Sequence, residues 1–391
     1  MREPDFVDEC YADKDLSLLK KLTLVIPTYN RNYYLSRCLW YHAHFPFGEI
    51  IVADSSPEEK KVVNRETVAK VREMFGANVR YLEYEPETEK YGGDIYRKWG
   101  DAVQHVETEY SQIVTDKEFL IPDTLIIHIR YLEQNLDYIA CFGSKEFLCF
   151  YNGKYHIRRK PYLYSIENTN PYQRYLTAIK SSPWAYSHLQ STMRSTIHKQ
   201  TYNLLVKYDI ADIRYGEIII GYLPHIFGKM KYTKQHYLTR DLTAMSENVN
   251  KSESSTQRYP CFDEYEFSIN AKYYNNYVSC VEHLLQKIGL SVNSDILRND
   301  VPINLIMRYN EKVHSVRVKN GACFIKLYWL LPEIIQETLG RYIMIYFNVL
   351  PSIKMTDFYS MKNMMIYNII EKNKDRQRLD KPVRYFEHMN T

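Results

Sequence analysis

Two carboxylates flank a lysine in the segment Asp116-Lys117-Glu118, which follows a predicted strand over residues 110–115. Carboxylate oxygens are the ligands that hard divalent cations such as Mg²⁺ and Mn²⁺ prefer. Such a cation, or Lys117 itself, would neutralise an anionic group bound beside it. A structural interpretation stays open, because acidic residues at a strand end often face solvent or cap a following helix, here one that begins at Pro122.

A polar elbow follows the first predicted strand of the chain. Residues 22–26 are apolar or β-branched, which is typical of a strand buried on both faces at the centre of a parallel sheet. The elbow consists of Pro27, which ends the predicted strand, Thr28, Tyr29, Asn30 and Arg31, where an amphipathic helix begins. Open α/β sheets bind their ligands at the carboxyl ends of the strands, so this elbow is a candidate binding segment.

The elements around these segments predict the fold class. Further strands over residues 50–53 and 78–84 alternate with helices, so the chain begins β-α-β-α-β. This order predicts an α/β fold with a doubly wound, mostly parallel sheet and right-handed crossovers. Since Asp54 follows the second strand directly, we expect Tyr29, Asp54 and Asp116 to converge on one edge of the sheet.

At these residues the sequence resembles the family-2-like glycosyltransferases of the GT-A fold. Those enzymes open with a Val-Ile-Pro-Thr-Tyr-Asn-Arg strand, present here at residues 25–31, and end their second strand with Val-x-Asp-x-Ser, present at residues 52–56. The resemblance covers residues 22–241. It departs from the family pattern after the fourth strand, where the usual Asp-x-Asp is replaced by Asp116-Lys117-Glu118.

The resemblance implies a nucleotide-sugar donor, with a UDP-sugar favoured and a CMP-sugar as the alternative that would relax the need for metal. Asp116 and Glu118 would then hold Mg²⁺ or Mn²⁺, unless metal use is weakened and Lys117 supplies part of the positive charge. The residues implied to contact the nucleotide, ribose or phosphates are Pro27, Thr28, Tyr29, Asn30, Arg31, Asp54, Asp94, Lys98, Asp116 and Lys117.

The resemblance also implies an inverting transfer, in which a base removes the proton of the acceptor hydroxyl. Glu217 is the first candidate for this base, Asp212 the second and His188 the third. Glu217 has the alternative of complementing a helix dipole, and a lone histidine in a strand is more often a structural hydrogen-bonding group. The implied acceptor is a glycan or a lipid-linked molecule of bacterial surface polysaccharide synthesis.

Composition restricts the class and location of the protein. The net charge of +4 over 391 residues gives little support to nucleic-acid binding and only a slight preference for anionic ligands or membrane surfaces. Seven scattered cysteines without a C-x-x-C pair are typical of a reducing compartment. The sequence shows neither a signal-peptide pattern nor a run of ~20 apolar residues. We therefore expect a cytoplasmic protein, with peripheral contact to the inner face of the membrane as an option.

The predicted organisation has four parts. Residues 1–21 form a lead-in, residues 22–241 the GT-A-like domain, residues 242–262 a polar loop or linker, and residues 263–391 a mainly helical extension. A rival interpretation is a catalytically inactive binding or scaffold protein for glycan assembly, in which Lys117 marks the loss of metal. A nucleotidyltransferase is less favoured, because such enzymes normally have a Gly-rich, basic opening loop.

Overall fold

The computed structural model describes residues 15–86, 94–151, 154–159, 164–181, 186–210, 213–241, 267–301 and 352–353. Its strands are β1 (Leu22–Thr28), β2 (Glu49–Asp54), β3 (Val79–Glu83), β4 (Tyr110–Ile113), β5 (Glu118–Leu120), β6 (Tyr138–Tyr151), β7 (Lys154–Arg159), β8 (Thr192–Arg194), β9 (Lys229–Asp241) and β10 (Ser352–Ile353). Its helices are α1 (Asn32–Ala43), α2 (Glu58–Phe75), α3 (Asp94–Gln104), α4 (Pro122–Gln134), α5 (Pro171–Ser181), α6 (Tyr186–Leu189), α7 (Ser195–Lys207), α8 (Ile213–Tyr222), α9 (Pro224–Phe227), α10 (Phe267–Lys287) and α11 (Ser294–Asp300).

Strand β1 lies inside the parallel half of the sheet, whose order is β3-β2-β1-β4. Its side chains alternate between two faces, as a strand requires. Leu24 and Ile26 belong to the apolar cluster that contains buried residues of α1 and α4, whereas Val25 belongs to the cluster that contains those of α3 and α7. Helices therefore cover both faces, which confirms the predicted α/β fold with a doubly wound sheet.

The second half of the sheet is largely antiparallel. Strand β4 pairs antiparallel with β8, and β8 pairs antiparallel with β6. Strand β6 also pairs antiparallel with β7 and parallel with β9, whose last residues pair with β5. Tyr151 is paired with Lys154, which leaves two residues for the connection, as the predicted hairpin requires. The sheet is thus mixed beyond β4.

Strand β6 is a single strand of 14 residues, where the sequence predicted one strand over residues 138–142 and a separate hairpin from residue 146. Gly143 lies between the two predicted pieces. A Cβ atom at Gly143 would lie 2.1 Å from the backbone oxygen of Gln235 in β9. The glycine therefore permits a close approach of two backbones and does not interrupt the strand.

Two helical segments differ from the prediction. The strand predicted over residues 187–194 is strand only at Thr192–Arg194, because Tyr186–Leu189 forms helix α6. The helix predicted to continue to residue 228 ends at Tyr222, and α9 begins at Pro224, which has no N–H group to donate to a continuing helix. Helix α8 starts at Ile213, so residue 217 lies inside a helix and does not open one.

Helix α10 packs on the sheet domain. Tyr277 is buried in the same apolar cluster as Val25 of β1, and its hydroxyl is hydrogen-bonded to that of Tyr175 on α5. Although α10 has 21 residues, none of the helices in the described ranges is long and apolar enough to cross a membrane. The predicted helical character of the extension holds for residues 267–287 and 294–300, and the predicted domain boundaries stay predictions.

A buried ion pair joins α1 to the end of β9. Arg37 Nη2 donates to Asp241 Oδ2 at 2.5 Å, and both side chains are fully buried. The guanidinium also lies 4.8 Å from the centre of the Tyr34 ring. The backbone N–H of Asp241 donates to the backbone oxygen of Lys117 at 2.9 Å. The pair therefore fixes the segment that carries the central lysine of the Asp116-Lys117-Glu118 motif.

Removing one partner of this pair will destabilise the protein more than replacing both. Arg37→Met removes the guanidinium that neutralises the buried Asp241 carboxylate, which costs about 3–5 kcal/mol of the free energy of unfolding. The double variant Arg37→Met/Asp241→Leu will recover much of that loss, because no buried charge remains. Urea denaturation of wild type, both single variants and the double variant measures the four values. A double variant as unstable as the sum of the single variants would contradict this account.

Candidate functional site

The ends of β1 and β4 meet through a hydrogen bond between side chains. Thr28 is the last residue of β1 and is paired with Asp54, the last residue of β2. Thr28 Oγ1 donates to Asp116 Oδ2 at 3.0 Å, and both residues are buried. The predicted convergence of the first, second and fourth strand ends is thus present, as expected when parallel strands end at one edge.

Arg31 completes the pairing of the Asp116 carboxylate. Its Nη1 donates to Asp116 Oδ1 at 3.2 Å, so each carboxylate oxygen accepts a hydrogen bond. The Asp116 side chain is 2 % exposed, whereas that of Arg31 is 34 % exposed. Arg31 therefore links a buried carboxylate to the surface of the molecule. We call Thr28, Arg31, Asp116 and Lys117 the strand-end cluster.

The elbow between β1 and α1 has a left-handed residue at its exposed point. Asn30 has a φ of 55°, a conformation that asparagine tolerates better than most residues, and its N–H donates to Ser56 Oγ at 2.8 Å. Tyr29 beside it is half-buried. Pro27 does not end the strand as predicted but is paired with Ala53 within it. The β4 pairing has already ended at Val25, so the missing N–H of Pro27 leaves no ladder bond unmade on that side.

Asp54 is buried and holds the backbone that follows β2. Its Oδ1 accepts from the N–H of Ser56 at 2.8 Å, and its Oδ2 accepts from Asn64 Nδ2 at 2.6 Å and from the Tyr81 hydroxyl at 2.5 Å. Burial, followed by this bond to Asp54, raises the pKa of Tyr81. The carboxylate is thus engaged from three sides, and it positions Ser56 against the elbow. Its predicted contact with a nucleotide stays a prediction.

Lys98 lies beneath the elbow on helix α3. Its Nζ donates to Ser55 Oγ at 2.7 Å and to the backbone oxygen of Thr28 at 3.3 Å, and the side chain is buried. Lys98 therefore ties the ends of β1 and β2 together from below. Asp94 is the first residue of α3, and its side chain lies outside the described part of the structure.

Lys117 is a nearly buried cation within the strand-end cluster. It is 5 % exposed, and burial lowers its pKa to about 7, with the neighbouring charges of Arg240 and Arg31 acting in the same direction. Asp116 and Glu118 act in the opposite direction but do not outweigh these effects. Burial is therefore the main cause of the lowered pKa of Lys117, which lies among charges of both signs.

Glu118 faces the interior of the protein. Its side chain is fully buried, its Oε2 accepts from the N–H of Thr115 at 2.8 Å, and its Oε1 lies 3.5 Å from Arg240 Nη1. Strand β5 places it opposite Arg240 of β9. Glu118 thus holds the turn that presents Asp116 and Lys117.

The donor set does not fit a Mg²⁺ or Mn²⁺ ion held by Asp116 and Glu118. Such ions need several oxygen ligands in an open arrangement. Both oxygens of Asp116 already accept hydrogen bonds, and Glu118 is turned inward to Arg240. In the ranges that the structure describes, no group of three or more His, Cys, Asp or Glu side chains could hold a metal ion. The arrangement is instead suited to an anion.

The three base candidates lie in different settings. Helix α8, which contains Glu217, packs on α3: a Cβ atom at Gly216 would lie 2.3 Å from the Tyr96 ring. The side chain of Glu217 and the whole of Asp212 lie outside the described residues. His188 is 2 % exposed and its Nδ1 lies 3.1 Å from His225 Nε2. This burial favours the structural interpretation of His188.

Sequence reasoning missed a buried lysine near this site. Lys145 Nζ donates to Gln190 Oε1 at 2.5 Å, and burial lowers the pKa of Lys145 to about 7, while Glu118 opposes that shift. The only sequence signal was the pair Lys145-Glu146 within an otherwise apolar strand. A charged pair in such a position is commonly assigned to solvent, so its partners could not be identified without the fold.

The burial of Lys145 makes stability depend on pH. Its pKa in the folded protein is below that of the unfolded chain, so the unfolded state binds more protons between about pH 7 and pH 10, and stability rises with pH in this window. Lys145→Met removes this contribution. The stability of wild type relative to the variant will therefore increase by about 2 kcal/mol between pH 7 and pH 9. Urea denaturation of both proteins across this range measures the difference, and a constant difference would show that Lys145 is not buried as a neutral amine.

Comparison with known proteins yields limited similarity. No protein-family model matches the sequence, and no curated protein matches it significantly. Among solved structures, residues 1–349 of S. aureus TarS in complex with UDP-GlcNAc are similar with a TM-score of 0.47 and 14% identity, over 92% of this chain and 93% of that chain. The complex of the same fragment with UDP gives a TM-score of 0.40 and 12% identity over the same shares of the two chains. Similarity at this level does not establish a function.

Proposed function

We propose that this protein is an inverting, GT-A-type glycosyltransferase. It transfers a sugar from a nucleotide-sugar donor, with a UDP-sugar favoured, to a glycan or lipid-linked acceptor of bacterial surface polysaccharide synthesis. The observation that carries the proposal is the pair of hydrogen bonds from Thr28 and Arg31 to Asp116. These bonds gather, at the carboxyl edge of a parallel sheet, the motifs whose sequence resembles this family.

The elbow contacts the nucleoside of the donor, and the strand-end cluster contacts its diphosphate. Asn30 is exposed and Tyr29 half-buried at the elbow, so these residues are available to the nucleoside. Arg31 and Lys117 provide positive charge for the diphosphate. Asp54 and Lys98 support the site from within the protein, because both are buried and hydrogen-bonded to the backbones of the two strand ends.

The proposed reaction is a single displacement. The acceptor oxygen attacks the anomeric carbon while the bond from that carbon to the diphosphate oxygen breaks, so the configuration inverts. The acceptor proton passes to the base, for which Glu217 is the first candidate, and the nucleoside diphosphate leaves with the bonding electron pair. Helix α8 supports this role, since it packs on the helix that carries Lys98. The cytoplasmic location and contact with the inner face of the membrane are part of the same proposal.

Release of nucleotide from UDP-, GDP-, CMP- and dTDP-sugars tests the proposal. The wild type will release nucleotide from at least one class, and Asp116→Asn will lower that rate by about 100-fold, because it removes the charge that orients Arg31. The control Glu59→Gln changes an exposed carboxylate of α2 in the same way and will act as wild type. Binding of a donor without release by the wild type would favour the catalytically inactive scaffold.

The variant Glu217→Gln tests whether Glu217 acts as the base and does not bind the donor. The substitution keeps the size of the side chain and removes its ability to accept a proton, so kcat will fall by about 10²- to 10⁴-fold. Donor affinity, measured by calorimetry, will stay near that of the wild type. Unchanged turnover would exclude Glu217 from the role and direct attention to Asp212.

A further inference from the structure

We propose that the Arg31 guanidinium and the Lys117 ammonium neutralise the diphosphate of the donor in place of a divalent cation, so that transfer is metal-independent. This inference rests on the proposed function and names how the same site binds the charged part of its substrate.

The surroundings of the Lys117 ammonium suit an anionic ligand. Lys117 is 5 % exposed, and among the described residues no hydrogen bond or ion pair engages its Nζ. A buried charge without a partner is unfavourable, and a phosphate oxygen would supply that partner.

Arg31 offers a second contact for the same anion. Its Nη1 is 3.2 Å from Asp116 Oδ1, and about a third of the side chain is exposed. The guanidinium group has five N–H donors in a planar fork that matches phosphate oxygens. Arg31 can therefore keep its bond to Asp116 while it contacts a diphosphate.

Charge balance argues in the same direction. Around the motif the structure places the three cations Arg31, Lys117 and Arg240 and the two carboxylates of Asp116 and Glu118, each of which is already in an ion pair. A further divalent cation would be repelled by this arrangement, whereas an anion is attracted. Lys117 occupies the middle position of the family's Asp-x-Asp pattern. Its ammonium thus takes the place of a metal ion in neutralising the diphosphate.

Calorimetry with inorganic pyrophosphate and with UDP tests the inference on the wild-type protein. Each ligand is titrated once in EDTA and once in excess Mn²⁺. We expect affinities that agree within about threefold, because the protein supplies the positive charge itself. An affinity at least about tenfold higher with Mn²⁺, or binding that occurs only with Mn²⁺, would overturn the inference.

Variants at Lys117 identify the ammonium as the contact. Lys117→Met will weaken pyrophosphate binding by at least about tenfold in EDTA, whereas Lys117→Arg will stay within about threefold of wild type. Lys70→Met is the matched control, because Lys70 is exposed on α2, far from the motif in sequence. Thermal unfolding without ligand verifies that each variant is folded. If Lys117→Met binds as wild type, or if Lys117→Met does not fold and Lys117→Arg has lost binding, the inference is overturned.

Measuring nucleotide release in EDTA and in Mn²⁺ distinguishes metal-independent transfer from the proposed glycosyltransferase function itself. Nucleotide release that persists in EDTA supports both. Release that requires Mn²⁺ overturns metal independence and leaves the glycosyltransferase proposal intact. If no donor is turned over, the proposed function fails, while the pyrophosphate measurements still decide whether Arg31 and Lys117 form an anion site.

Discussion

The strand-end cluster depends on the desolvated carboxylate of Asp116. A carboxylate that is 2 % exposed is tolerated only when its oxygens are paired, because desolvation of an isolated charge is very unfavourable. Thr28 and Arg31 provide that pairing from the end of β1 and from the elbow that follows it. The position of the elbow relative to β4 is therefore fixed by electrostatics as well as by the strand ladder.

Supporting contacts hold this pairing from two sides. On one side, Lys98 ties the Thr28 carbonyl to Ser55. On the other, the buried pair of Arg37 and Asp241 fixes the end of β9, whose backbone N–H donates to Lys117. The charged groups at the sheet edge are thus set in place before any ligand arrives, and this preorganisation is what a site needs to stabilise developing charge.

The part of the site that could be predicted from sequence follows from one rule. Parallel strands end at a common edge, so the ends of the first, second and fourth strands had to converge once the β-α-β-α-β order was recognised. The rule gives proximity but not partners: Asp54 is buried and bonded to Asn64, and Lys98 is buried and bonded to Ser55, while their contacts with a ligand stay predictions. Whether a polar side chain at a strand end faces a ligand or the core depends on neighbours from distant segments.

The other contacts of the site could not be predicted, because their partners are far apart in the sequence. Arg37 lies on an amphipathic helix and would ordinarily be assigned to solvent, yet its partner Asp241 is 204 residues away. Likewise Lys145 finds Gln190 across 45 residues, and His188, placed in a strand by local pattern, lies in helix α6 against His225. Local propensity contains no information on such partners.

Glu118 is the carboxylate of the Asp116-Lys117-Glu118 segment that interacts with the interior of the protein. Glu118 opposes the effect of burial on the pKa of both Lys117 and Lys145. A longer side chain than aspartate lets this carboxylate reach the interior, where it bonds to the Thr115 N–H and approaches Arg240. Glu118 is thus turned into the protein, whereas Arg31 keeps about a third of its side chain exposed at the same edge of the sheet.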